Sequence, residues 1–436
     1  MADATLVGAQ DLVEAGRAHR RVYVDPAIFE QEMDRIFGRL WLYVAHESQL
    51  KQHGDFVRAQ LGRHEVIVAR HSDGTIHVMQ NRCPHRGARL CMTDRGHTRR
   101  LTCPYHAWGC RTDGSLAAVP HPSSYPASFD MADPANRLPP VPRVASYRGF
   151  VFASLAADGP TLAEHLGDMA DAIDNLVDRA PDGDVELAET SFQLEYRGNW
   201  KFHNENAADV FHPGFVHSSS VGTAMASPSG ASSLDDDQTR DMMLANGFGR
   251  DEWEGIQFKG LPGGHTYMGG FYRQGMLAPE RVDPVRDEYR QALVGRHGAS
   301  RAAEILGVNR FNNLIFPTMN LNAQYQQMRV VVPLAVDRTL IRVSCFRLLG
   351  APDGIFHRAV RFLTTLGSPA SMIFSDDVEM LARCQAGLAG SDSEWLNFER
   401  GMGTDETGTP GHVSGRASEL PMRHQLHAWA HYMAAA

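Results

Sequence analysis

Between Asn81 and Cys110 the chain gathers four of its six cysteines and three histidines into thirty residues. Cys83 and His85 form a C-x-H pair, and Cys103 and His106 form a C-x2-H pair. Seventeen residues lie between His85 and Cys103, so each pair fits in its own tight loop. Each loop also has a proline directly after its cysteine (Pro84, Pro104). Proline stiffens a loop and removes a backbone donor. Two thiolates and two imidazoles can hold zinc. They can equally hold a Rieske [2Fe–2S] centre, in which two histidines replace two cysteines on one iron. Zinc fingers usually pair like with like, C-x2-4-C with H-x3-5-H. Here each loop mixes the two types. That pattern suits two loops clasping a binuclear cluster, each giving one ligand to each iron. Cys91 and Cys110 are left over. They read as free thiols of a reducing compartment, packed as small apolar side chains.

A second group lies in "NENAADVFHPGFVH". Asp209, His212 and His217 are spaced D-x2-H-x4-H. A helix ending at Pro213 would put His212 in its last turn and Asp209 one turn earlier on the same face. His217 would then fold back from beyond the break. Two imidazoles this close suit a divalent transition metal. Zinc would need a third protein ligand and one open position. A 2-His-1-carboxylate set with open positions suits non-haem Fe(II) and O2.

These groups need rigid elements to hold them. Asp25-Pro26 reads as an N-cap followed by proline at the first helical position. The helix through "AIFEQEMDRIF" would turn Phe29, Met33 and Ile36 to one face. "HEVIVARHSDGTIHVMQNRC" reads as two strands joined at Asp73-Gly74, leading into the first ligand loop. Tyr147 to Leu155, "YRGFVFASL", reads as one strand closing a β-rich unit. Trp108, near the second loop, would shield a cluster from water. The expected division is a helical segment over 1–39, a β domain over 40–155 and a second domain over 156–436. In the second domain "VELAETSFQLEYRGNW" reads as a strand entering a helix at Asn199-Trp200. Residues 218–237, rich in Ser, Ala and Gly, read as a loop or lid. Alternating strands fill 313–349. A helix over "IFHRAVRFLTTLG" stops at Gly367, and another begins near Ser375.

Composition narrows the class. The chain has 436 residues, 43% hydrophobic and 21% charged, with a formal net charge of −9. That is a globular composition with no electrostatic footprint for nucleic acid. No apolar run reaches the ~18 residues of a membrane span. The opening "MADATLVGAQDLVEAG" lacks the basic region and apolar core of a secretory signal. The expected location is cytoplasmic.

C-x-H-x17-C-x2-H followed about a hundred residues later by D-x2-H-x4-H resembles the large (α) subunit of Rieske non-haem iron ring-hydroxylating oxygenases. "NWKFHNENAADVFHPGFVH" and "SDDVEMLARCQAGL" resemble the subgroup acting on aromatic carboxylates. The resemblance implies an α+β chain: an all-β Rieske domain and a helix-grip (START-like) catalytic domain with an antiparallel sheet. It implies that Cys83, His85, Cys103 and His106 hold the cluster. His212, His217 and an acid of "FSDDVEM" would hold the mononuclear Fe(II). Asp377 is the expected ligand and Asp376 the runner-up. Asp209 is implied as the carboxylate joining His212 to His106 of the next subunit, and Asn206 as a residue facing the pocket. Arg329, in "LNAQYQQMRVVVPL", is implied as a grip for a substrate carboxylate. The disulfide of respiratory Rieske proteins is not matched, since its positions here are Ala88 and Tyr105. Implied partners are an aromatic substrate, O2, and a ferredoxin or reductase drawing on NAD(P)H. A homotrimer is implied, with a small β subunit as α3β3. Kept beside this reading are a quaternary-ammonium or O-demethylating Rieske monooxygenase, and an electron carrier with no catalytic iron.

Overall fold

The computed structural model describes residues 8–226, 237–272, 283–390, 392–408, 411–415 and 417–435. The chain forms two compact units. One is Phe37–His165, and the other joins the residues up to Ile36 with those from Leu166 onward.

The Phe37–His165 unit is built from three antiparallel sheets. The largest runs in the order Ile76–Gln80, His64–Arg70, Asp55–Leu61, Arg95–His97. A second pairs Leu101–Thr102, Gly109–Cys110 and Leu116–Ala118. Strand Ile76–Gln80 delivers the chain to the first ligand loop. The second ligand loop is the turn between the paired strands Leu101–Thr102 and Gly109–Cys110. The third sheet corrects the reading of "YRGFVFASL" as one strand. Arg143–Tyr147 and Phe150–Ser154 form a hairpin with Tyr147 opposite Phe150. Arg148 and Gly149 both have positive φ, 48° and 87°. Two left-handed residues make the tight turn that suits twisted strands, and Gly149 supplies the second at no steric cost. The unit also runs past Ala156, where the sequence suggested a boundary. Arg143 donates to the carbonyls of Ala156 and Pro160, and the Trp41 indole donates to Pro160. These bonds fasten residues 156–160 to the sheet.

The other unit is organised by a nine-stranded antiparallel sheet. Its central order is Val185–Tyr196, Arg338–Leu348, Gln327–Ala335, Met319–Asn322, Arg310–Ile315, His265–Gly269, Gln257–Leu261. Helix Asp353–Gly367 buries Ile355, Ala359, Phe362, Leu363 and Leu366, an i, i+4, i+7, i+8, i+11 stripe. That stripe packs it along strand Arg338–Leu348. Helix Trp200–Ala207 is started by Asn199, whose side chain accepts from the Lys201 N–H.

Two further sequence expectations are corrected here. Pro213 does not end a helix. Helix Trp200–Ala207 stops earlier, and Pro213 opens the short helix Pro213–Val216. Proline is well tolerated at that first position, because its missing N–H would be unpaired anyway. Asp209 and His212 therefore sit in the connection between two helices. Residues 218–226, expected as loop, form a helix. The hydroxyls that suggested a loop turn back onto the helix: Ser220 donates to the His217 carbonyl and Thr223 to that of Ser219. Residues 227–236 of that stretch lie outside the described residues, and Asp237–Ala245 is again helical.

Helix Pro26–Arg35 has the expected N-cap, with Asp25 accepting from the Ala27 N–H, and Pro26 follows it. Its buried Glu32 pairs with Lys201 and accepts from the indoles of Trp200 and Trp429. The neighbouring Tyr23 hydroxyl donates to Glu205 at 2.8 Å. Burial pushes Glu205 up to about 7, against the pull of Tyr23 and Lys201. A raised carboxyl pKa means that the fold holds this proton more tightly than the unfolded chain. The associated stability is full below the unfolded pKa of 4.5 and is lost as pH rises through about 7. The loss is roughly 3 kcal/mol. Glu205→Gln keeps the acceptor for Tyr23 and cannot ionise. Its unfolding free energy should exceed the parent's at pH 8–9 and match it below about pH 5, measured by urea titration. A difference independent of pH would contradict this.

Candidate metal centres and substrate cavity

The two ligand loops repeat one backbone pattern. In the first, the Cys83 N–H donates to Ala88 O and the Gly87 N–H to Cys83 O, at 2.8 and 2.9 Å. In the second, the Cys103 N–H donates to Trp108 O and the Ala107 N–H to Cys103 O, at 2.8 and 3.0 Å. The fourth residue after each cysteine has positive φ, 77° at Gly87 and 54° at Ala107. Each loop thus points its cysteine inward and its histidine outward. Cys83 and Cys103 are buried, while His85 is exposed and His106 half-buried. The two imidazole centroids are 4.8 Å apart, and Trp108 stacks on His85 at 5.0 Å. The Trp108 indole is itself held by a 3.0 Å bond to the Tyr125 hydroxyl.

The donor set fits a [2Fe–2S] cluster of the Rieske type. Burial pushes the Cys83 thiol up, and the neighbouring Cys103 sulfur adds to the rise. Two adjacent buried thiolates need a cation between them. His106 Nδ1 is buried with no hydrogen-bond partner, which a metal bond would supply. The leftover thiols behave differently. Burial holds Cys91 at about 11 and Cys110 at about 12, so both stay protonated. All six cysteines are free.

The second cluster is assembled from two elements far apart in sequence. His212 lies just before Pro213, and His217 just after helix Pro213–Val216. Asp377 enters from the first turn of helix Phe374–Ala389. Its Oδ1 is 3.3 Å from His212 Nε2 and 3.1 Å from His217 Nε2. Ligand atoms of all three residues lie within 4.8 Å of one another, the one such group among the described residues. Asn206 contributes its amide, 3.1 Å from both His212 Nε2 and Asp377 Oδ1. Behind each imidazole stands another carboxylate. Asp209 Oδ2 is 3.5 Å from His212 Nδ1, and Asp376 Oδ2 is 3.6 Å from His217 Nδ1.

Charge in this cluster calls for a cation. Burial alone would lower the His212 pKa, but Asp209 and Asp377 outweigh it and hold the pKa up at about 9. Burial would likewise raise Asp377, and the two imidazoles hold it far below the usual carboxylate range. A buried anion faces two nitrogens that both aim at it. A divalent ion can replace the proton and be bound by all three.

The cluster lies in the wall of a cavity partly open to solvent. Phe271 stacks on Phe311 at 4.0 Å and Tyr325 on Phe362 at 4.1 Å, giving flat apolar walls. Met242, Phe248 and Leu366 add to them. Arg329 also lines the cavity, from strand Gln327–Ala335. Its Nε and Nη2 both donate to Gln327 Oε1 at 3.3 Å, and its guanidinium carbon is 5.5 Å from the Phe374 ring centre. Burial lowers its pKa, opposed by the Asp377 charge. Among the described residues Arg329 pairs with no carboxylate.

The structure therefore brings together Asn206, Asp209, His212, His217, Arg329 and Asp377 around one cavity. It gathers Cys83, His85, Cys103 and His106 separately in the β unit. Sequence reading missed the aromatic walls, which come from segments without a local motif. It also missed Arg400. This residue lies 191 positions from Asp209, and its Nη2 is 3.2 Å from Asp209 Oδ1.

Comparison with known proteins agrees with both centres. The family model described as the Rieske [2Fe-2S] domain matches residues 40–147. The one described as the ring hydroxylating alpha subunit (catalytic domain) matches residues 186–435. The chain is 35% identical to toluate 1,2-dioxygenase subunit alpha of Pseudomonas putida over 86% of its own length and 79% of that protein. It is 32% identical to the anthranilate 1,2-dioxygenase large subunit of Acinetobacter baylyi over 88% of its length and 80% of that protein. Among solved structures it resembles naphthalene 1,2-dioxygenase with indole bound in the active site, at 25% identity and a TM-score of 0.81. That match covers 98% of this chain and 95% of the other.

Proposed function

The chain belongs to the ring-hydroxylating dioxygenase alpha-subunit family, and from that premise we propose that it is a terminal oxygenase hydroxylating a carboxylated aromatic ring with O2. The observation that carries the substrate class is Arg329: a largely buried guanidinium with no acid partner among the described residues, in an aromatic-walled cavity beside the His212–His217–Asp377 cluster. The relatives named for toluate and anthranilate, both benzoate-type acids, support the same class.

In this reading Cys83, Cys103, His85 and His106 hold the Rieske cluster, and His212, His217 and Asp377 hold ferrous iron. When bound, the cluster supplies single electrons and the ferrous ion activates O2; addition of both oxygen atoms to the ring also consumes two electrons and two protons. The side chains do the rest. Arg329 pairs with the substrate carboxylate through its planar fork, with Gln327 fixing the guanidinium plane. The stacked aromatic pairs align the ring and exclude water. Asp209 fixes the orientation of the His212 imidazole through Nδ1, as outer carboxylates do for metal-bound histidines. Asn206 holds the cavity side of the cluster.

The electrons would come from NAD(P)H through a reductase or ferredoxin. Three copies would close a head-to-tail ring in which His106 of one subunit meets Asp209 of the next, with a small β subunit completing α3β3. The exposed aromatics next to these residues support such a contact: Tyr105 is 60% exposed and Phe215 is 67% exposed. No helix of the described residues is long and apolar enough to cross a membrane.

Arg329→Met tests the substrate class. Removing one partner of a buried charge pair costs roughly 2–5 kcal/mol. The expected loss in kcat/KM for a benzoate-type acid is therefore about 30-fold to several thousand-fold. The corresponding amide should lose far less. Equal losses for acid and amide, or none for either, would remove the carboxylate assignment.

A further inference from the structure

We propose that Arg400 is a positioning residue for the ligand imidazole of His212, acting through the Asp209 carboxylate. This rests on the reading of His212 as an iron ligand. The guanidinium grips the connection that carries Asp209 and His212 at two points. Its Nη2 is 3.2 Å from Asp209 Oδ1, and its carbon lies 4.5 Å from the centre of the Phe211 ring. The same Oδ1 accepts the Phe211 N–H at 2.8 Å. With Oδ1 held by two donors, Oδ2 is the oxygen turned to His212 Nδ1, at 3.5 Å.

Arg400 is itself anchored. Its N–H donates to Glu419 Oε2 at 3.1 Å, and its carbonyl accepts from the Glu419 N–H at 2.9 Å and from Arg423 Nη1 at 3.1 Å. Its Nη2 is also 3.5 Å from Glu419 Oε1. A planar guanidinium fastened at its base, lying against a ring and held between Asp209 Oδ1 and Glu419 Oε1, fixes the plane of the Asp209 carboxylate. An ammonium at the same place keeps the charge but loses the planar match. The plane of Asp209 in turn sets how His212 presents Nε2 to the metal.

The competing role is a plain tether for the segment around Glu419 and Arg423. The two are separated by ferrous-iron affinity, measured by anaerobic equilibrium dialysis on the full chain with its cluster intact. The variants are Arg400→Gln, Arg400→Lys, Asp209→Asn, His212→Ala and the Arg400→Gln/Asp209→Asn double. Arg400→Gln should weaken iron binding about tenfold, the lower end for residues that support a metal ligand. Arg400→Lys should weaken it less, and remains measurable if the glutamine variant does not fold. The double variant should bind no more weakly than Asp209→Asn alone, because both changes remove one chain of contacts. Unchanged affinity in both Arg400 variants would overturn the proposal. So would an Arg400→Gln effect that persists undiminished on the Asp209→Asn background, which is the tether's result. If His212→Ala binds iron as the parent does, the ligand reading fails, and the proposal fails with it.

Discussion

Asp377→Ala should yield a chain that holds two irons where the parent holds three, with an intact Rieske EPR signal and no measurable hydroxylation. Among the described residues Asp377 is the one anion facing both His212 Nε2 and His217 Nε2, at 3.3 and 3.1 Å. Without it, only the two imidazoles remain, and a site short of one ligand does not retain ferrous iron through purification. The four proposed cluster ligands all lie in the other compact unit. The expected loss in turnover is on the order of a thousandfold or more. The adjacent Asp376→Ala is the matched control. Asp376 is 37% exposed and reaches only the far side of His217, 3.6 Å from Nδ1. It should keep its iron at saturating metal. Three irons in Asp377→Ala with two in Asp376→Ala would exchange the roles of the two acids.

Asp209→Asn should separate metal loading from turnover. The amide has nearly the shape of the carboxylate, so the Phe211 N–H bond and the fold should survive. What is lost is the negative charge between Arg400 and His212. Reconstituted at saturating iron, both centres should load fully. Turnover should fall ~100-fold or more, the upper range for loss of a metal-orienting carboxylate and then some for the broken electron route. Stopped-flow re-oxidation of the reduced cluster should slow in parallel. Loss of the mononuclear iron even at saturating metal would make Asp209 a ligand instead.

How much of this could be read from the chain depends on distance along it. The cluster loops were legible because each ligand pair is local: two residues and a proline define a turn, and the turn defines the donor directions. Helix Pro26–Arg35 was legible for the same reason, through its cap and its first proline. The resemblance placed Asp377, since D-x2-H-x4-H contains no hint of an acid 160 residues later. The local geometry at Pro213 was misread because proline both ends and begins helices, and only packing decides between them. The helix Ser218–Ala226 was misread because hydroxyls that usually favour loops here bond back to the carbonyls of His217 and Ser219, three and four residues earlier. Arg400 and the aromatic walls left no trace in any window. They meet the site only through the order of strands in the nine-stranded sheet and the return of the segment before helix Leu420–Ala434.

The most direct test of the account is product analysis after turnover under 18O2 with NADH, a reductase system and a panel of benzoates, with matched amides and carnitine-like amines. The account predicts a ring-hydroxylated product from an aromatic acid, carrying both atoms of one labelled O2. It predicts little or no product from the amides or amines. Label in a hydroxylated or cleaved amine, with the benzoates untouched, would contradict it.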